Sequence, residues 1–197
     1  YADDVVEYFV QKSIANGIDN IRIFDCLNDL RNLQQAVTST NKMKAQEGRG
    51  HAQVALSYTL GDAYTLDYWK DIAKRVEDMG ANSLCIKDMA GVLLPNDAYE
   101  LISKIKQATK LPIELHTHCT GGIAEMTLMK AIEAGVDIVD TALSPLANGT
   151  AQPSTEALVA TLKGTARDTG LDLEALSDVA THFRGVADKM KANGILD

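Results

Sequence analysis

Short apolar runs alternate along this chain with longer segments in which apolar residues recur every three or four positions. Five apolar runs, which read "IRIFDCL", "QVALSYT", "SLCIKDM", "IELHTH" and "DIVDTAL", begin near Ile21, Gln53, Ser83, Ile113 and Asp137. Apolar runs of this length are typical of buried strands. Segments between them, such as "TLDYWKDIAKRVEDMG" and "PNDAYELISKIKQAT", have the helical period, and several end at glycine. The pattern therefore predicts strands and helices in alternation.

The spacing of the predicted strands indicates the fold class. The first four strands begin about thirty residues apart, and buried strands that alternate with helices form parallel βα units. A regular repeat favours a (β/α)8 barrel, the TIM barrel, over an open doubly wound sheet. Such barrels have eight strands and about 250 residues. We therefore predict an α/β fold in which residues 1–170 form the C-terminal part of a TIM barrel, with about five of its eight βα units.

Both ends of the chain differ from the repeating pattern. The last segment, "DLEALSDVATHFRGVADKMKANG", is amphipathic and has no strand before it. We predict that residues 171–197 are the start of a helical region that follows the barrel. The chain opens with Tyr1 and a helical segment, "DDVVEYFVQKSIANG", so we expect an internal piece of a longer protein whose first barrel strands lie upstream.

Composition narrows the classes of function. The net charge of -8 and the absence of a dense Lys and Arg run argue against nucleic-acid binding. No apolar stretch reaches the ~18 residues of a membrane-spanning helix, and the first residues do not resemble a signal peptide. Cys26, Cys85 and Cys119 are widely spaced, which favours reduced thiols. We expect a cytoplasmic protein that does not bind nucleic acid.

Polar side chains at the predicted strand ends are the candidates for chemistry, because barrels of this type build their active sites there. His116 and His118 lie two residues apart in a strand, so they share a face and could bind one metal ion. A hydrogen-bonded pair of histidines at a strand end is the structural alternative. Both interpretations stay open at the level of the sequence.

Lys87 follows the apolar run "SLCI" and is expected near the mouth of the barrel. An ion pair with Asp88 or with another carboxylate is one interpretation, since buried charges are normally paired. The other is that burial favours a neutral amine, which can add carbon dioxide to become a carbamate. The carbamate, together with His116 and His118, would form a ligand set that suits zinc, cobalt or manganese.

Two further residues are candidates for substrate chemistry. Arg22 lies in an apolar strand, and its planar fork of donors suits a carboxylate, although an ion pair with Asp25 is an equal alternative. Thr150 lies in the loop "NGTAQPST", where its hydroxyl could transfer a proton. A threonine in such a loop is also a common turn former.

Several blocks of the sequence together indicate a family. The blocks "RIFDCLND", "AQVALSYT", "CIKDMAG", "ELHTHCTGG", "AIEAGVDIVDTALS" and "GTAQPSTEAL" resemble the carboxyltransferase domain of biotin-dependent enzymes that act on pyruvate and oxaloacetate. This family includes the oxaloacetate decarboxylase alpha subunit, pyruvate carboxylase, which in some organisms has a separate B subunit, and the transcarboxylase 5S subunit. The resemblance covers nearly the whole chain.

The resemblance implies a role for each candidate residue. It implies that Lys87 is carboxylated and binds the divalent metal together with His116 and His118. It also implies that Arg22 holds the keto-acid carboxylate and that Thr150 relays a proton between the biotin ring and the methyl carbon of pyruvate. The family's first barrel strand supplies a metal-binding aspartate, and this strand is absent from the sequence, so we expect the piece alone to be inactive.

The resemblance also implies an activity and partners. The leading hypothesis is carboxyl transfer between oxaloacetate or pyruvate and biotin, in an oxaloacetate decarboxylase alpha subunit with membrane partner subunits. The first alternative is the B subunit of a pyruvate carboxylase, which works with a separate biotin carboxylase. In either case the biotin is expected on a separate carrier domain or chain, and the protein is expected to form a homodimer or a larger assembly.

Two hypotheses lie outside this family. Metal-dependent lyases and synthases that act on acyl-CoA esters also combine a TIM barrel with an HxH pair, but they need no carboxylated lysine, so "IKDMAG" argues against them. The second hypothesis is an inactive structural fragment that supports a larger assembly. Stoichiometric metal binding would distinguish an enzyme from such a scaffold.

Overall fold

Five parallel strands lie side by side in chain order in the computed structural model, which describes residues 1–196. The strands are β1 (Asn20–Asp25), β2 (His51–Ser57), β3 (Ser83–Asp88), β4 (Ile113–Thr117) and β5 (Ile138–Val139). Each strand pairs in parallel with the next one in the chain. An open doubly wound sheet would reverse the strand order at its switch point. The unbroken order therefore confirms the predicted α/β fold with part of a barrel.

Within residues 1–196, seven α-helices accompany the strands. They are α1 (Asp3–Ala15), α2 (Gln34–Glu47), α3 (Leu66–Asp78), α4 (Pro95–Ala108), α5 (Ala124–Glu133), α6 (Thr155–Leu162) and α7 (Leu173–Ala192). Three short 3-10 turns lie at Leu30–Asn32, Cys119–Gly121 and Ser144–Leu146. Side chains of Thr65, Ser154 and Asp172 cap the first turns of α3, α6 and α7 by accepting backbone N–H groups. The four helical segments named from the sequence are thus present as α1, α3, α4 and α7, and a 3-10 turn precedes α2.

The fifth strand is shorter than its apolar run indicates. Only Ile138 and Val139 form the ladder, although the backbone N–H of Asp140 still donates to the carbonyl of Leu115. Beyond that point the chain forms an isolated bridge between Ala142 and Ser154. The residues after β5 therefore build a loop at the carboxyl end of the sheet.

The two faces of the sheet differ in polarity because successive side chains of a strand point to opposite sides. One face is apolar and packs against the helices, and it includes the fully buried Val54, Leu84, Ile86 and Leu115. The register places polar side chains on the other face, namely Arg22, Gln53, Ser57, Lys87, Glu114 and His116. The polar face is where a site can form.

The last helix, α7, packs against α6 and the Ser144–Leu146 turn. It lies within the predicted post-barrel region 171–197, of which Asp197 lies outside the described residues. The domain boundary at residue 170 stays a prediction. Among the helices of residues 1–196, none has the length and apolar character needed to span a membrane.

Candidate metal and carboxylate site

His116 and His118 meet at the carboxyl end of β4. Their Nε2 atoms lie 3.0 Å apart, and the side chain of His116 is 14% exposed. The pleat of the strand turns both rings to the polar face of the sheet, as the spacing predicts. The two imidazoles therefore converge on one point.

Both rings are held from behind by hydrogen-bond acceptors. Nδ1 of His116 lies 2.6 Å from Oδ2 of Asp140, and Nδ1 of His118 lies 2.5 Å from the backbone carbonyl oxygen of Thr150. A neutral imidazole that donates the hydrogen on Nδ1 to such an acceptor keeps its lone pair on Nε2. Two lone pairs that face one point, with acceptors behind both rings, are typical of metal-binding histidines. The donor chemistry of this pair therefore fits a divalent cation.

Gln152 lies against the same pair of nitrogens. Its side-chain amide nitrogen is 3.1 Å from Nε2 of His118 and 3.4 Å from Nε2 of His116. An amide nitrogen carries two hydrogens and can donate to both lone pairs. This contact was not predicted, because its only signal in the sequence is the position of Gln152 in the loop "NGTAQPST".

Lys87 is the neighbour of His116 in the register of β3 and β4. Its Nζ lies 3.8 Å from the centre of the Phe24 ring, a cation–π contact, and has no ion-pair partner in residues 1–196. Asp88 points to the opposite face, where it accepts the backbone N–H groups of Val92 and Leu93. The alternative pair of Lys87 with Asp88 is therefore absent, and the amine lies on Phe24 instead of on the histidines.

A buried hydroxyl without a partner lies next to Lys87. Oγ of Ser57 is the one fully buried side-chain nitrogen or oxygen in the described part of the chain that forms no hydrogen bond. Ser57 is paired with Lys87 in the register of β2 and β3, so both side chains lie on the polar face. Buried hydroxyls usually have a partner. An acceptor group on the side chain of Lys87 would give the Ser57 hydroxyl a hydrogen-bond partner.

The residues that could hold a metal are of mixed type. By their chemistry and position, His116 and His118 could do so together with a carboxylated Lys87. Within residues 1–196, no group of three or more His, Cys, Asp or Glu side chains is arranged to bind a metal ion. A metal centre on this face therefore needs a ligand besides the two imidazoles.

Arg22 is the centre of a hydrogen-bond network on the polar face of the sheet, next to the histidines. Its Nε donates to Oε1 of Gln53 at 2.6 Å, one terminal nitrogen donates to Asp140 at 3.0 Å, and the other forms an ion pair with Glu114. The alternative pair with Asp25 is absent, because residues three apart in a strand point to opposite faces. Gln53, Glu114 and Asp140 were not predicted as site residues, because their only signal in the sequence is their place on alternate positions of the strands.

The charges of this network are set by burial and by hydrogen bonds. Burial raises the pKa of Glu114, against the opposing hydrogen bond from Gln53 and the charge of Arg22. Burial also opposes ionisation of Asp140, but hydrogen bonds from His116 and Arg22 outweigh it and lower its pKa. The pKa of Arg22 is raised, because its contacts with Asp140 and Glu114 outweigh burial. A cation and the Asp140 anion thus lie beside His116.

Thr150 lies in a tight turn after β5, as the turn interpretation expects. Asn148 and Gly149 have positive φ angles of 66° and 58°, and the backbone N–H of Ala151 donates to the carbonyl of Asn148. The side chain of Thr150 is exposed, while its carbonyl faces His118. The structure therefore brings Thr150 to the histidines through its backbone.

The family follows from the extent of one match. A family model described as HMGL-like matches residues 10–182. The chain belongs to the HMGL-like family.

Two named proteins are similar to this HMGL-like chain over nearly its whole length. The B subunit of pyruvate carboxylase from Methanocaldococcus jannaschii is 49% identical over 191 residues, which are 97% of this chain and 33% of that protein. The methylmalonyl-CoA carboxyltransferase 5S subunit of Propionibacterium freudenreichii subsp. shermanii is 42% identical over 193 residues, 97% of this chain and 37% of that protein. The chain thus spans about a third of the length of these relatives.

A solved structure supports the fold of the HMGL-like chain. The carboxyl transferase domain of Rhizobium etli pyruvate carboxylase with pyruvate superposes with a TM-score of 0.88 at 39% identity. The match covers 94% of this chain and 32% of that one. The predicted resemblance to carboxyltransferase domains of biotin-dependent enzymes is confirmed.

Proposed function

We propose that this chain forms the keto-acid site of a biotin-dependent carboxyltransferase of the pyruvate carboxylase and transcarboxylase type. The observation that carries the proposal is the position of Asp140, which accepts from His116 at 2.6 Å and from Arg22 at 3.0 Å. A fixed cation that can bind a carboxylate therefore lies beside an imidazole pair that can bind a metal. A keto acid presents a carboxylate next to a carbonyl oxygen, and this arrangement suits both groups.

Within this proposal, the relatives favour one type of enzyme. The Methanocaldococcus jannaschii protein, 49% identical to the chain, is named as the B subunit of a pyruvate carboxylase. We therefore propose this role in place of the oxaloacetate decarboxylase alpha subunit, which was the leading hypothesis from the sequence. The role requires a biotin carrier and a biotin carboxylase as partners. Membrane partner subunits and a homodimer or larger assembly stay predictions from the sequence.

His116 and His118, with Lys87 in its carboxylated form, would hold the divalent metal. Zinc, cobalt and manganese suit two nitrogen ligands and one carbamate oxygen. When bound, such an ion supplies positive charge against the negative charge that develops on the keto oxygen. The unpartnered hydroxyl of Ser57 supports the carboxylated form of Lys87, because a carbamate would give it an acceptor.

Arg22 binds and orients the substrate in this proposal. Its guanidinium has five N–H groups, and three of them contact Gln53, Asp140 and Glu114. Two N–H groups remain for the carboxylate of pyruvate or oxaloacetate. Because Glu114 and Gln53 hold the guanidinium from below, little freedom is lost when the substrate binds.

Thr150 moves the proton in this proposal. When the bond between the transferred carboxyl group and the methylene carbon of oxaloacetate breaks, its electron pair stays on that carbon as an enolate. The Thr150 hydroxyl gives its proton to this carbon and regains one from the biotin nitrogen that takes up the carboxyl group. The same steps in reverse carboxylate pyruvate. The exposed position of Thr150 at the mouth of the site suits an approach of biotin from outside.

The other hypotheses are less well supported. An acyl-CoA lyase or synthase has no use for an amine beside the metal ligands, whereas Lys87 is the register neighbour of His116. A structural fragment has no use for two imidazole lone pairs 3.0 Å apart. Both observations favour the carboxyltransferase.

The test is oxaloacetate decarboxylation by the complete protein, with and without free biotin, together with metal content by elemental analysis. We expect turnover that biotin stimulates and about one divalent metal per chain. His116→Ala should lose the bound metal and the biotin-stimulated turnover. The control His182→Ala, a substitution on the exposed surface of α7, should keep the metal and the turnover. Metal without biotin stimulation would instead favour the lyase, and no metal would favour the structural fragment.

A further inference from the structure

Asp140 lies between the two parts of the proposed site, the histidine pair and Arg22. It follows β5 directly, and its backbone N–H donates to the carbonyl of Leu115 on β4 at 3.1 Å. Its Oδ2 accepts from Nδ1 of His116 at 2.6 Å and from Arg22 at 3.0 Å. Both its main chain and its side chain are therefore tied to β4, the strand that carries His116.

The two acceptors behind the histidines differ in kind. The acceptor behind His116 is a side chain, and the acceptor behind His118 is a backbone carbonyl. His118 donates to a backbone carbonyl, that of Thr150, which every residue at position 150 provides. His116 instead depends on the carboxylate of Asp140 to keep the hydrogen on Nδ1 and the lone pair on Nε2. Loss of this carboxylate frees the ring to rotate and to adopt the other tautomer.

Arg22 fixes Asp140 in turn. The guanidinium is held by Gln53 and by Glu114, whose side chain is almost fully buried. The position of Oδ2 is thus determined from two sides, by the imidazole and by the guanidinium. A single carboxylate therefore connects the metal ligand His116 to the substrate-binding cation Arg22.

We infer that Asp140 is a positioning residue that holds His116 as a metal ligand and aligns it with Arg22. This inference rests on the proposed function, because it assumes that the imidazole pair binds a metal. It adds a specific role for a residue that contacts neither the ion nor the keto acid.

The test is cobalt(II) binding by the complete protein, followed by titration and by the visible absorption of the bound ion. Asp140→Ala removes the acceptor, and Asp140→Asn keeps its size and an acceptor oxygen without the charge. The control is Asp137→Asn. Asp137 lies just before β5, and it accepts the N–H of Ile113 at 2.7 Å and pairs with Lys106 outside the site.

We expect Asp140→Ala to weaken cobalt binding by about 10–100-fold and to change its absorption spectrum. Asp140→Asn should fall between that variant and the unaltered protein, and it serves as the test if the alanine variant does not fold. Asp137→Asn should bind within about twofold of the unaltered protein, since distant sites act independently.

Three results would overturn the inference. Unchanged cobalt affinity and spectrum in both Asp140 variants would remove its role in positioning His116. An equal loss in Asp137→Asn would show a general effect of weakening the β5 region. Failure of the unaltered protein to bind cobalt would overturn the metal centre itself, and the role of Asp140 with it.

Discussion

The backbone carbonyl oxygen of Thr150 lies 2.5 Å from Nδ1 of His118. The loop after β5 thus reaches back to a histidine at the end of β4, over a separation of 32 residues. This contact uses the backbone carbonyl of Thr150, so the side-chain hydroxyl of Thr150 remains available for proton transfer. Substitution can therefore separate the two contributions of this residue.

Thr150→Ala should keep the metal and lose carboxyl exchange. The backbone acceptor of His118 survives the substitution, whereas the hydroxyl that relays the proton does not, so we expect about a 10²–10⁴-fold loss of turnover. Metal content and the exchange of carboxyl groups between oxaloacetate and free biotin check both parts. Thr150→Ser is the matched control and should retain much of the activity. Full turnover in the alanine variant would rule out the relay.

Lys87→Ala and Lys87→Arg should lose metal alike. Arginine can keep the cation–π contact with Phe24 but cannot form the lysine carbamate. We expect metal content to fall roughly tenfold or more in both variants, since a ligand is lost. Elemental analysis and thermal unfolding measure ligand loss and stability separately. Normal metal occupancy in either variant would contradict the ligand role.

Gln152→Ala should tighten metal binding. The amide of Gln152 donates towards both imidazole nitrogens at 3.1 and 3.4 Å, and these bonds must break before an ion can take both lone pairs. With a net value of about 1 kcal/mol for each of the two hydrogen bonds, the gain in affinity is at most about 30-fold. Calorimetric titration with zinc measures it, with Gln107→Ala on the surface of α4 as the control. Weaker binding would instead indicate that Gln152 is a ligand.

Gly91→Ala should destabilise the protein far more than Gly48→Ala. Both glycines have positive φ angles, 67° and 69°, so an added side chain would strain the backbone at either position. A Cβ at Gly91 would also collide with the carbonyl oxygen of His118, whereas a Cβ at Gly48 meets no atom within 4 Å. We expect a loss of about 1–2 kcal/mol at Gly48 and about 3 kcal/mol or more at Gly91. Denaturant unfolding compares them, and equal losses would contradict the close approach.

Glu156→Gln should make the stability less dependent on pH in acid. Glu156 accepts the backbone N–H of Ser144 and the hydroxyl of Ser154, and these bonds outweigh burial and lower its pKa below the ordinary value of 4.5. A lowered pKa in the folded state adds stability above pH 4.5, and this stability is lost as the pH falls through the folded-state pKa.

The expected effect of Glu156→Gln at neutral pH is a fall of about 2 °C or less in Tm, because the group is only partly buried and solvent screens its charge. The difference from the unaltered protein should vanish below the folded-state pKa. Thermal unfolding at pH 7 and in acid measures both values. The same deficit at every pH would contradict the role of the ionised carboxylate.

Much of the fold could be predicted because its signals are local. The strands and helices follow from the periods of their apolar residues, and the shared face of His116 and His118 follows from the pleat of one strand. The length of β5 was less predictable. Its apolar run continues to Leu143, but the strand ends at Val139, where the chain leaves β4 to form the loop with Thr150.

The order of the elements, the histidine pair and the family of the motifs can all be read from the amino-acid sequence alone. The partners of the polar side chains depend instead on how the chain folds. Arg22 bonds to Glu114 and Asp140, which are 92 and 118 residues away, instead of to the nearby Asp25. Such contacts depend on the register and curvature of the whole sheet. The contact of His118 with the backbone carbonyl of Thr150 cannot be predicted from residue types, because every residue has a backbone carbonyl.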